Sequence, residues 1–326
     1  LYFHGNNKTD EDIAYALDCG VGCFIVDNHQ ELERLEQAAG ARSHRQRVLL
    51  RVTPGIDPHT LQAINTGRID CQFGVPIETG QAAQFVADAL SRPHLQVEGF
   101  HSHIGSQIFE AAPFCDAVDI LLDFAHAMRQ AHGFVARTLN LGGGFGVRYR
   151  ESDPTVDIPG NIRALADHLR RGCETKGYPM PRVLLEPGRS IVANAGLTLY
   201  RVGGVKTIAG YRSYVTVNGG MTDNPRYALY QSRYTVYHAH KSGSMERFDV
   251  VGRCCESGDI IQPDVELPGD TCRGDLLAVC TTGAYNYSMA SNYNRLPRAP
   301  IVMLRGGESY EAVRRETLAD LCKCDL

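Results

Sequence analysis

A repeated alternation of short β-rich runs, turns and amphipathic helical segments most constrains the fold of this chain. It occupies residues 1–190, where each β-rich run ends in a polar or glycine-rich turn before the next helical segment begins. Strands that alternate with helices form βαβ units, in which consecutive strands lie parallel in one sheet. The six predicted strands are Leu1–His4, Cys23–Asp27, Val48–Thr53, Val97–His103, Thr138–Leu141 and Val183–Glu186.

Two segments between these runs carry helical signals. Thr9 is a typical N-cap for a helix over Thr9–Cys19, and Asp12 follows it three residues later, as in a capping box. In Phe114–Met128 the apolar side chains recur at spacings of three and four residues, which predicts an amphipathic helix. Both segments therefore fit the helix positions of βαβ units.

Residues with unusual chemistry directly follow the predicted strands. They lie in the turns Gly5–Lys8, His101–His103, Gly142–Gly144 and Glu186–Arg189. Functional groups at the C-terminal ends of parallel strands are typical of a TIM-type barrel, whereas a doubly wound sheet would carry a G-x-G-x-x-G turn after its first strand. We therefore predict an α/β TIM-type barrel. Because a barrel closes with eight strands and six are visible, we expect two further units upstream of Leu1.

The pattern changes in the second part of the chain, where strand-like runs are separated by Gly, Asn, Asp or Pro turns. We predict a barrel domain over residues 1–194 and an antiparallel β-sandwich or β-barrel domain over residues 195–326. Its predicted strands are Thr198–Ile208, Tyr214–Asn218, Arg233–His238, Arg247–Gly252, Leu276–Cys280 and Ile301–Arg305, and a short helix is predicted over Thr317–Leu321.

Composition excludes several classes of function. The formal net charge is −4 and the chain has no blocks of Lys or Arg, so it lacks the electrostatic footprint of a nucleic-acid-binding protein. No run approaches the ~18 apolar residues of a membrane span. The eleven cysteines are scattered and form no pair of C-x-x-C motifs with zinc spacing. We expect a cytoplasmic protein without nucleic-acid, membrane or metal partners.

Gly142, Gly143 and Gly144 form a glycine cluster after a predicted strand. Without Cβ atoms, such residues let backbone N–H groups approach an anion such as a phosphate. A tight turn between strand and helix is the alternative interpretation. In the turn Glu186–Arg189, the arginine suits phosphate or carboxylate oxygens, and the glutamate suits the protonated nitrogen of a heterocyclic cofactor. A structural ion pair is the alternative there.

His101 and His103 are separated by one residue, so the period-two geometry of a strand places both on one face. One of them can stack on a flat cofactor while Ser106 donates to a phosphate. No third residue has suitable spacing for a metal ligand, so no metal site is predicted. The alternative is a pair of buried, hydrogen-bonded histidines.

Cys255 and Glu256 lie in a polar, glycine-containing run of the second domain. A cysteine beside a glutamate suits proton donation or substrate capture, although a hairpin loop with an incidental thiol is the alternative. Two further loops, Asn218–Arg226 and Gly283–Asn294, are rich in Gly, Asn and Tyr. Their Arg and Tyr groups suit the carboxylate of an amino acid and a phosphate oxygen.

In this order, the motifs closely resemble those of the diaminopimelate decarboxylases, pyridoxal 5'-phosphate enzymes of the alanine racemase/ornithine decarboxylase fold group. The resemblance extends from Phe3–Thr9 to Arg315–Thr317. It implies a homodimeric lyase that converts meso-2,6-diaminopimelate to L-lysine and carbon dioxide in the last step of lysine biosynthesis. The motifs that carry it are His101–Gln107, Gly142–Gly146, Glu186–Gly196, Gly219–Tyr230, Cys255–Asp259 and Gly283–Asn294.

The resemblance also implies a role for each candidate residue. His103 is expected to stack on the pyridine ring and Glu186 to face the ring nitrogen. The other residues expected to bind the cofactor are Ser106, Gly142, Gly143, Gly144, Gly188, Arg189 and Tyr285. Those expected to bind the substrate are Arg189, Arg226, Tyr230, Glu256 and Tyr285. Cys255 is expected to donate the proton, and its loop to reach the active site of the other subunit, so that a dimer has two shared sites.

The family's Schiff-base lysine lies in a Tyr-Ala-x-Lys-Ala-Asn segment on the first barrel strand, and this sequence contains no such segment. Lys8 matches the turn of a different strand, so we expect it to have no covalent role. We expect the Schiff-base lysine in a segment upstream of Leu1. Two alternatives remain open: a decarboxylase of another basic amino acid, such as ornithine or D-ornithine/lysine, and a catalytically inactive homologue that binds a partner.

Overall fold

The computed structural model describes residues 1–56 and 67–326, which divide into two compact units. The first unit contains Leu1–Gly146 and Thr155–Gly188, and the second contains Val147–Pro154 and Arg189–Leu326. The boundary at residue 194 stays a prediction. Among the described residues, no helix combines the length and apolarity needed to cross a membrane.

The first unit contains a parallel sheet whose order follows the chain. Its strands are β1 (Tyr2–Phe3), β2 (Cys23–Val26), β3 (Gln46–Thr53), β4 (Val75–Pro76), β5 (Leu95–His101), β6 (Thr138–Asn140) and β7 (Arg182–Leu184). The order is β1-β2-β3-β5-β6-β7, with the two-residue β4 beside β3. A doubly wound sheet would reverse its order at a switch point, whereas a barrel sheet does not. The barrel prediction is confirmed, with all six predicted strands present.

The helices that connect these strands are α1 (Asp10–Asp18), α2 (His29–Ala41), α3 (Gln81–Leu90), α4 (Ala112–His132) and α5 (Ile158–Lys176). At the start of α1, the Thr9 hydroxyl accepts from the Asp12 N–H at 3.1 Å, and the Asp12 carboxylate accepts from the Thr9 N–H at 3.0 Å. This is the predicted capping box. The apolar stripe predicted for α4 is buried, and the helix ends at Gly133, which has a φ of 66°.

The sheet of the first unit is buried on both faces. On one face, Phe24 and Leu50 belong to the large core that also contains the apolar residues of the helices. On the other face, Ile25 and Leu49 form a small cluster against Leu184. Alternating side chains of one strand therefore enter two different cores, which is why these strands read as continuous apolar runs. Such a sheet can present polar groups only at its strand ends.

The second unit has its own core and a mixed sheet. Its strands are β8 (Leu197–Ile208), β9 (Arg212–Val217), β10 (Val236–His238), β11 (Met245–Val251), β12 (Ile260–Pro268) and β13 (Leu276–Cys280), in the order β10-β13-β8-β9-β11-β12. β14 (Ile301–Arg305) and β15 (Glu308–Val313) form a separate hairpin. Short helices α6 (Arg189–Val192), α7 (Arg226–Tyr230) and α8 (Leu318–Leu321) lie between or after the strands.

Three features of the second unit differ from the sequence prediction. β9 and β11 pair in parallel, because the chain forms α7 and β10 between them and has the length to return in the same direction. β12 was not predicted, since Pro263 interrupts its apolar pattern. β15 was missed because its residues are almost all exposed and show no alternation of apolar side chains.

Candidate active site

Groups from three strand ends of the first unit converge on the carboxylate of Glu186, which itself follows a fourth strand. Its Oε1 accepts a hydrogen bond from Nδ2 of Asn140 at 2.7 Å and lies 2.8 Å from Nε2 of His4. Its Oε2 lies 3.4 Å from Nε2 of His101. These residues follow or end β7, β6, β1 and β5, so parallel strands bring them together although they are far apart in sequence.

The surroundings of Glu186 favour its ionised form. Burial acts to raise the pKa of the carboxyl group, but contacts with His101, His4 and Asn140 outweigh burial and hold the pKa well below its usual range. Glu186 is therefore an anion at neutral pH. A fixed anion at this position can hold a proton on a nitrogen atom of a bound ring.

Both histidines of the His101–His103 turn are neutral. Burial lowers the pKa of His101 to about 4, and burial together with the nearby His101 and Arg51 lowers that of His103 to about 4. The N–H of Gly143 donates to Nδ1 of His103 at 3.2 Å, so the ring proton of His103 lies on Nε2. A neutral imidazole is suited to stacking on a flat ring, as predicted for His103.

His101 does not fit the alternative of a hydrogen-bonded buried pair. It is 1% exposed, and neither of its ring nitrogens makes a well-aligned hydrogen bond. Buried polar atoms without partners are rare and call for an explanation such as a ligand. Among the described residues, Nδ1 of His101 thus lacks a hydrogen-bond partner, and Nε2 has only its long contact with Glu186.

The glycine cluster allows three backbone segments to approach one another closely. A Cβ at Gly143 would lie 2.2 Å from the carbonyl oxygen of Glu186, and one at Gly144 would lie 2.3 Å from that of Gly105. The N–H of Gly142 donates to Oδ1 of Asn140 at 3.0 Å, and that of Gly143 is used by His103. Two of the three N–H groups expected to bind a phosphate therefore hold the loop itself, and their phosphate contacts stay a prediction.

A chain of buried charges lies at the ends of β1, β2 and β3. The Lys8 ammonium group donates to the Glu31 carboxylate at 2.6 Å and to two backbone carbonyl oxygens at 2.8 Å. The other Glu31 oxygen accepts from the Asp27 N–H, and Asp27 lies 3.6 Å from Arg51. Each ammonium proton of Lys8 thus has an acceptor within the first unit, and the absence of a covalent role stays a prediction.

In the second unit, Arg189 and Arg226 both face the ring of Tyr285. Their guanidinium carbons lie 4.7 and 5.6 Å from its centroid, and Arg226 also lies 4.7 Å from the ring of Tyr230. Both arginines are buried, and Arg189 donates to the Tyr149 hydroxyl. Two buried cations on one ring create positive potential suited to a carboxylate or phosphate. Four of the predicted residues are thus brought together here.

Tyr285 has a φ of 62°, in the left-handed region that favours glycine. A non-glycine residue there stores strain of order 1–3 kcal/mol, and such strain is concentrated at functional sites. Nearby in sequence, Asn286 is buried with neither amide atom hydrogen-bonded, as is Asn224 beside Arg226. The sequence did not predict either asparagine as a site residue, because hydrogen bonding of a side-chain amide depends on the folded structure.

Cys255 and Glu256 lie in an exposed loop of the second unit. The Cys255 N–H donates to Oδ1 of Asn294 at 2.9 Å, and the buried Asp259 carboxylate accepts from the Cys254 N–H at 2.7 Å. Burial and the charge of Asp259 raise the pKa of Cys254 to about 11, so this neighbouring thiol stays protonated. The loop is therefore ordered by its backbone while Cys255 and Glu256 face outward.

Two other predicted residues lie near the ends of the parallel strands. Ser106 is half-buried in the loop that follows His103, and Gly188 is the last residue of the first unit. His4, His101 and Glu186 also place three possible metal-ligand atoms within 4.8 Å of one another. Tertiary structure brings His4 and Glu186 from distant strands to His101, which spacing in the sequence does not reveal, and the expectation of no metal site stays a prediction.

Comparison with known families places these features in context. The pyridoxal binding domain of the pyridoxal-dependent decarboxylases matches residues 1–193. The diaminopimelate decarboxylase of Bacillus subtilis is 43% identical over 328 residues, which cover 100% of this chain and 74% of that protein. That of Staphylococcus aureus is 39% identical over 322 residues, which cover 98% of this chain and 75% of that protein.

Solved structures with the same architecture include diaminopimelate decarboxylases with L-lysine. The M. jannaschii structure has a TM-score of 0.89 at 32% identity and covers 100% of this chain and 74% of that one. The Helicobacter pylori structure has a TM-score of 0.89 at 30% identity, with 99% and 77% covered. A lysine/ornithine decarboxylase from Vibrio vulnificus has a TM-score of 0.74 at 24% identity, with 91% and 73% covered, which indicates a shared fold alone.

Proposed function

Since this chain belongs to the pyridoxal-dependent decarboxylases and, within them, to the diaminopimelate decarboxylases, we propose that it converts meso-2,6-diaminopimelate to L-lysine and carbon dioxide. It is a carboxy-lyase whose cofactor is pyridoxal 5'-phosphate. The observation that carries the proposal is the ionised carboxylate of Glu186, held at the strand ends beside the neutral His103 and the glycine loop.

The residues of the first unit fit this cofactor. Nδ1 of the buried His101 ring has no hydrogen-bond partner in the part of the chain that the structure describes, and the glycine loop packs so closely against the backbone of Glu186 and Gly105 that it cannot accommodate a Cβ. When bound, pyridoxal phosphate supplies a protonated ring that withdraws electrons from the bond to the departing carboxylate. In our proposal, Glu186 holds the proton on the ring nitrogen and His103 packs against the ring as a neutral imidazole. Ser106, Gly142, Gly143, Gly144 and Gly188 bind the cofactor.

The second unit supplies groups for the anionic parts of the ligands. Arg189, Arg226, Tyr230 and Tyr285 bind substrate, with Arg189 and Tyr285 also contacting the cofactor; the two buried guanidinium groups support this assignment. Glu256 selects substrates with a second amino group, because its carboxylate pairs with an ammonium ion. Cys255 returns a proton to the α-carbon after carbon dioxide leaves.

We further propose a cytoplasmic homodimer in which Cys255 and Glu256 serve the active site of the other subunit. The support for the dimer is that both residues are exposed in a loop whose backbone is ordered, as a loop that reaches another molecule requires.

The support for the cytoplasm is that each of the eleven cysteines is a free thiol, a state that a reducing compartment preserves.

The test is a comparison of substrates with the complete enzyme and pyridoxal phosphate. We expect carbon dioxide release from meso-diaminopimelate with a kcat/KM far above that for ornithine, D-ornithine or lysine. Glu186→Gln, which keeps the size of the side chain and removes its charge, should abolish most of the turnover. A preference for ornithine would overturn the substrate assignment. Tight binding of the cofactor without turnover of any diamino acid would favour the inactive homologue.

A further inference from the structure

A closed ring of hydrogen bonds joins the glycine loop to Glu186 through the side chain of Asn140. Nδ2 of Asn140 donates to Oε1 of Glu186 at 2.7 Å, and the Glu186 N–H donates to the carbonyl oxygen of Gly142 at 2.7 Å. The Gly142 N–H then donates to Oδ1 of Asn140 at 3.0 Å. The ring therefore holds two groups in a fixed relative position. One is the carboxylate proposed to face the cofactor nitrogen, and the other is the loop expected to lie at the cofactor phosphate.

Asn140 differs from the other groups around the carboxylate. It is the last residue of β6 and is 1% exposed, and its bond to Glu186 has good hydrogen-bond geometry. His4 is half-buried, and Nε2 of His101 lies 3.4 Å away without good alignment. The contacts with His101 and His4 lower the pKa of Glu186 more than Asn140 does, but Asn140 is the buried, well-aligned donor that also bonds to the glycine loop.

The chemistry of the ring requires an amide. One short side chain must donate to a carboxylate and accept from a backbone N–H, and asparagine does both while remaining neutral. Aspartate would keep the bond from Gly142, lose the donor, and place a second carboxylate against Glu186. Leucine has a similar size and would leave the Gly142 N–H without its acceptor and Oε1 of Glu186 with His4 as its remaining contact.

We propose that Asn140 is a positioning residue of the decarboxylation, which holds the Glu186 carboxylate in register with the glycine loop so that both ends of the cofactor are held by one rigid unit. The proposal rests on the proposed function, because that function assigns Glu186 to the pyridine nitrogen. Asn140 acts on the reaction through Glu186 and the loop.

The test compares Asn140→Asp and Asn140→Leu with the wild-type holoenzyme. We expect both to bind pyridoxal phosphate roughly 10- to 100-fold more weakly, the range set by a hydrogen bond to a charged group. In both variants Glu186 becomes easier to protonate, because it loses a donor and, in Asn140→Asp, faces a second anion. The acid limb of the kcat–pH profile should therefore move to higher pH. A merely structural role would lower kcat equally at every pH.

Gln46→Glu is the matched control. Gln46 is a buried amide at the first residue of β3, 1% exposed, and its Nε2 donates to the backbone carbonyl oxygens of Val21 and Arg47. The change places a carboxylate in the same sheet without touching Glu186, so the position of the acid limb should not move.

The outcomes separate the two proposals. The proposed function stands if the wild type binds the cofactor and decarboxylates diaminopimelate. In that case, the role of Asn140 is overturned if Asn140→Asp keeps wild-type cofactor affinity, or if it loses activity while the acid limb of its kcat–pH profile stays in place. If wild type neither binds the cofactor nor turns over substrate, the proposed function fails instead. Should Asn140→Leu fail to fold, Asn140→Asp, which has nearly the same size, decides the result.

Discussion

Cys255 carries the most specific chemical role that we propose for a single side chain. Cys255→Ala removes the proton donor but leaves the backbone bond from residue 255 to Asn294 in place. We expect turnover to fall about 10²- to 10⁴-fold, the usual contribution of a positioned acid or base, while the cofactor dissociation constant stays unchanged. Steady-state kinetics and cofactor titration measure the two effects. Cys322→Ala, at an exposed cysteine of the tail, is the control, and loss of the cofactor from Cys255→Ala would contradict the role.

His101 makes a second prediction at this scale. Its pKa is about 4 in the folded protein, because burial penalises the charged ring, and about 6.5 when the chain is unfolded. As the pH falls from 6.5 to 4, only the unfolded chain binds this proton, so the free energy of unfolding should fall by on the order of 3 kcal/mol through His101 alone. Above pH 6.5 His101 is neutral in both the folded and the unfolded chain, so its titration no longer lowers the free energy of unfolding.

Chemical unfolding at a series of pH values measures this dependence. His101→Gln should make it about half as steep, because glutamine does not titrate while His103, whose pKa is also lowered to about 4, still does. His132→Gln, at an exposed histidine on α4, should leave it unchanged. An equally steep dependence in wild type and His101→Gln would show that another group is responsible. Protonation linked to Glu186 also lowers the free energy of unfolding in acid, but only at lower pH, since the pKa of Glu186 in the folded protein lies well below its usual range.

At the scale of elements, the strand-end loops of the first unit depend on how closely their backbones pack. In Gly143→Ala, the new Cβ would lie 2.2 Å from the Glu186 carbonyl oxygen, and no side-chain rotation relieves a clash with backbone. We expect the free energy of unfolding to fall by about 1–3 kcal/mol, and cofactor affinity to fall because the loop moves away from Glu186. Gly203→Ala, whose nearest neighbour would be 3.7 Å away, is the control. Equal effects of both changes would contradict the argument.

At the scale of the whole molecule, a shared active site predicts complementation between inactive variants. In the proposed homodimer, Glu186→Gln and Cys255→Ala should each disable both sites. A mixed dimer then contains one site with both wild-type residues if the two come from different subunits. Mixing equal amounts under conditions that allow subunit exchange should restore about a quarter of wild-type activity, because half of the dimers are mixed and each has one intact site. No recovery in verified mixed dimers would place both residues in the same subunit's site.

The elements were largely predictable because their signals are local. Apolar runs that end in turns predicted β2, β3, β5, β6 and β7 to within about two residues, and the Thr9 capping box predicted the start of α1. The parallel pairing of β9 with β11 was not predictable, because alternation of side chains carries no information on strand direction. β12 was missed because tertiary packing buries a segment that Pro263 makes look like a loop.

The sequence by itself determined the strand–helix alternation, the barrel class and the six motifs whose order identifies the family, since each depends on neighbouring residues or on short spacing. Only the tertiary structure decided which groups surround Glu186: His4 and Asn140 lie on other strands, and their approach depends on the sheet. It also decided that the amide protons of Gly142 and Gly143 hold their own loop. Hydrogen bonds and pKa values depend on distances of a few ångströms, and only the folded chain sets those distances.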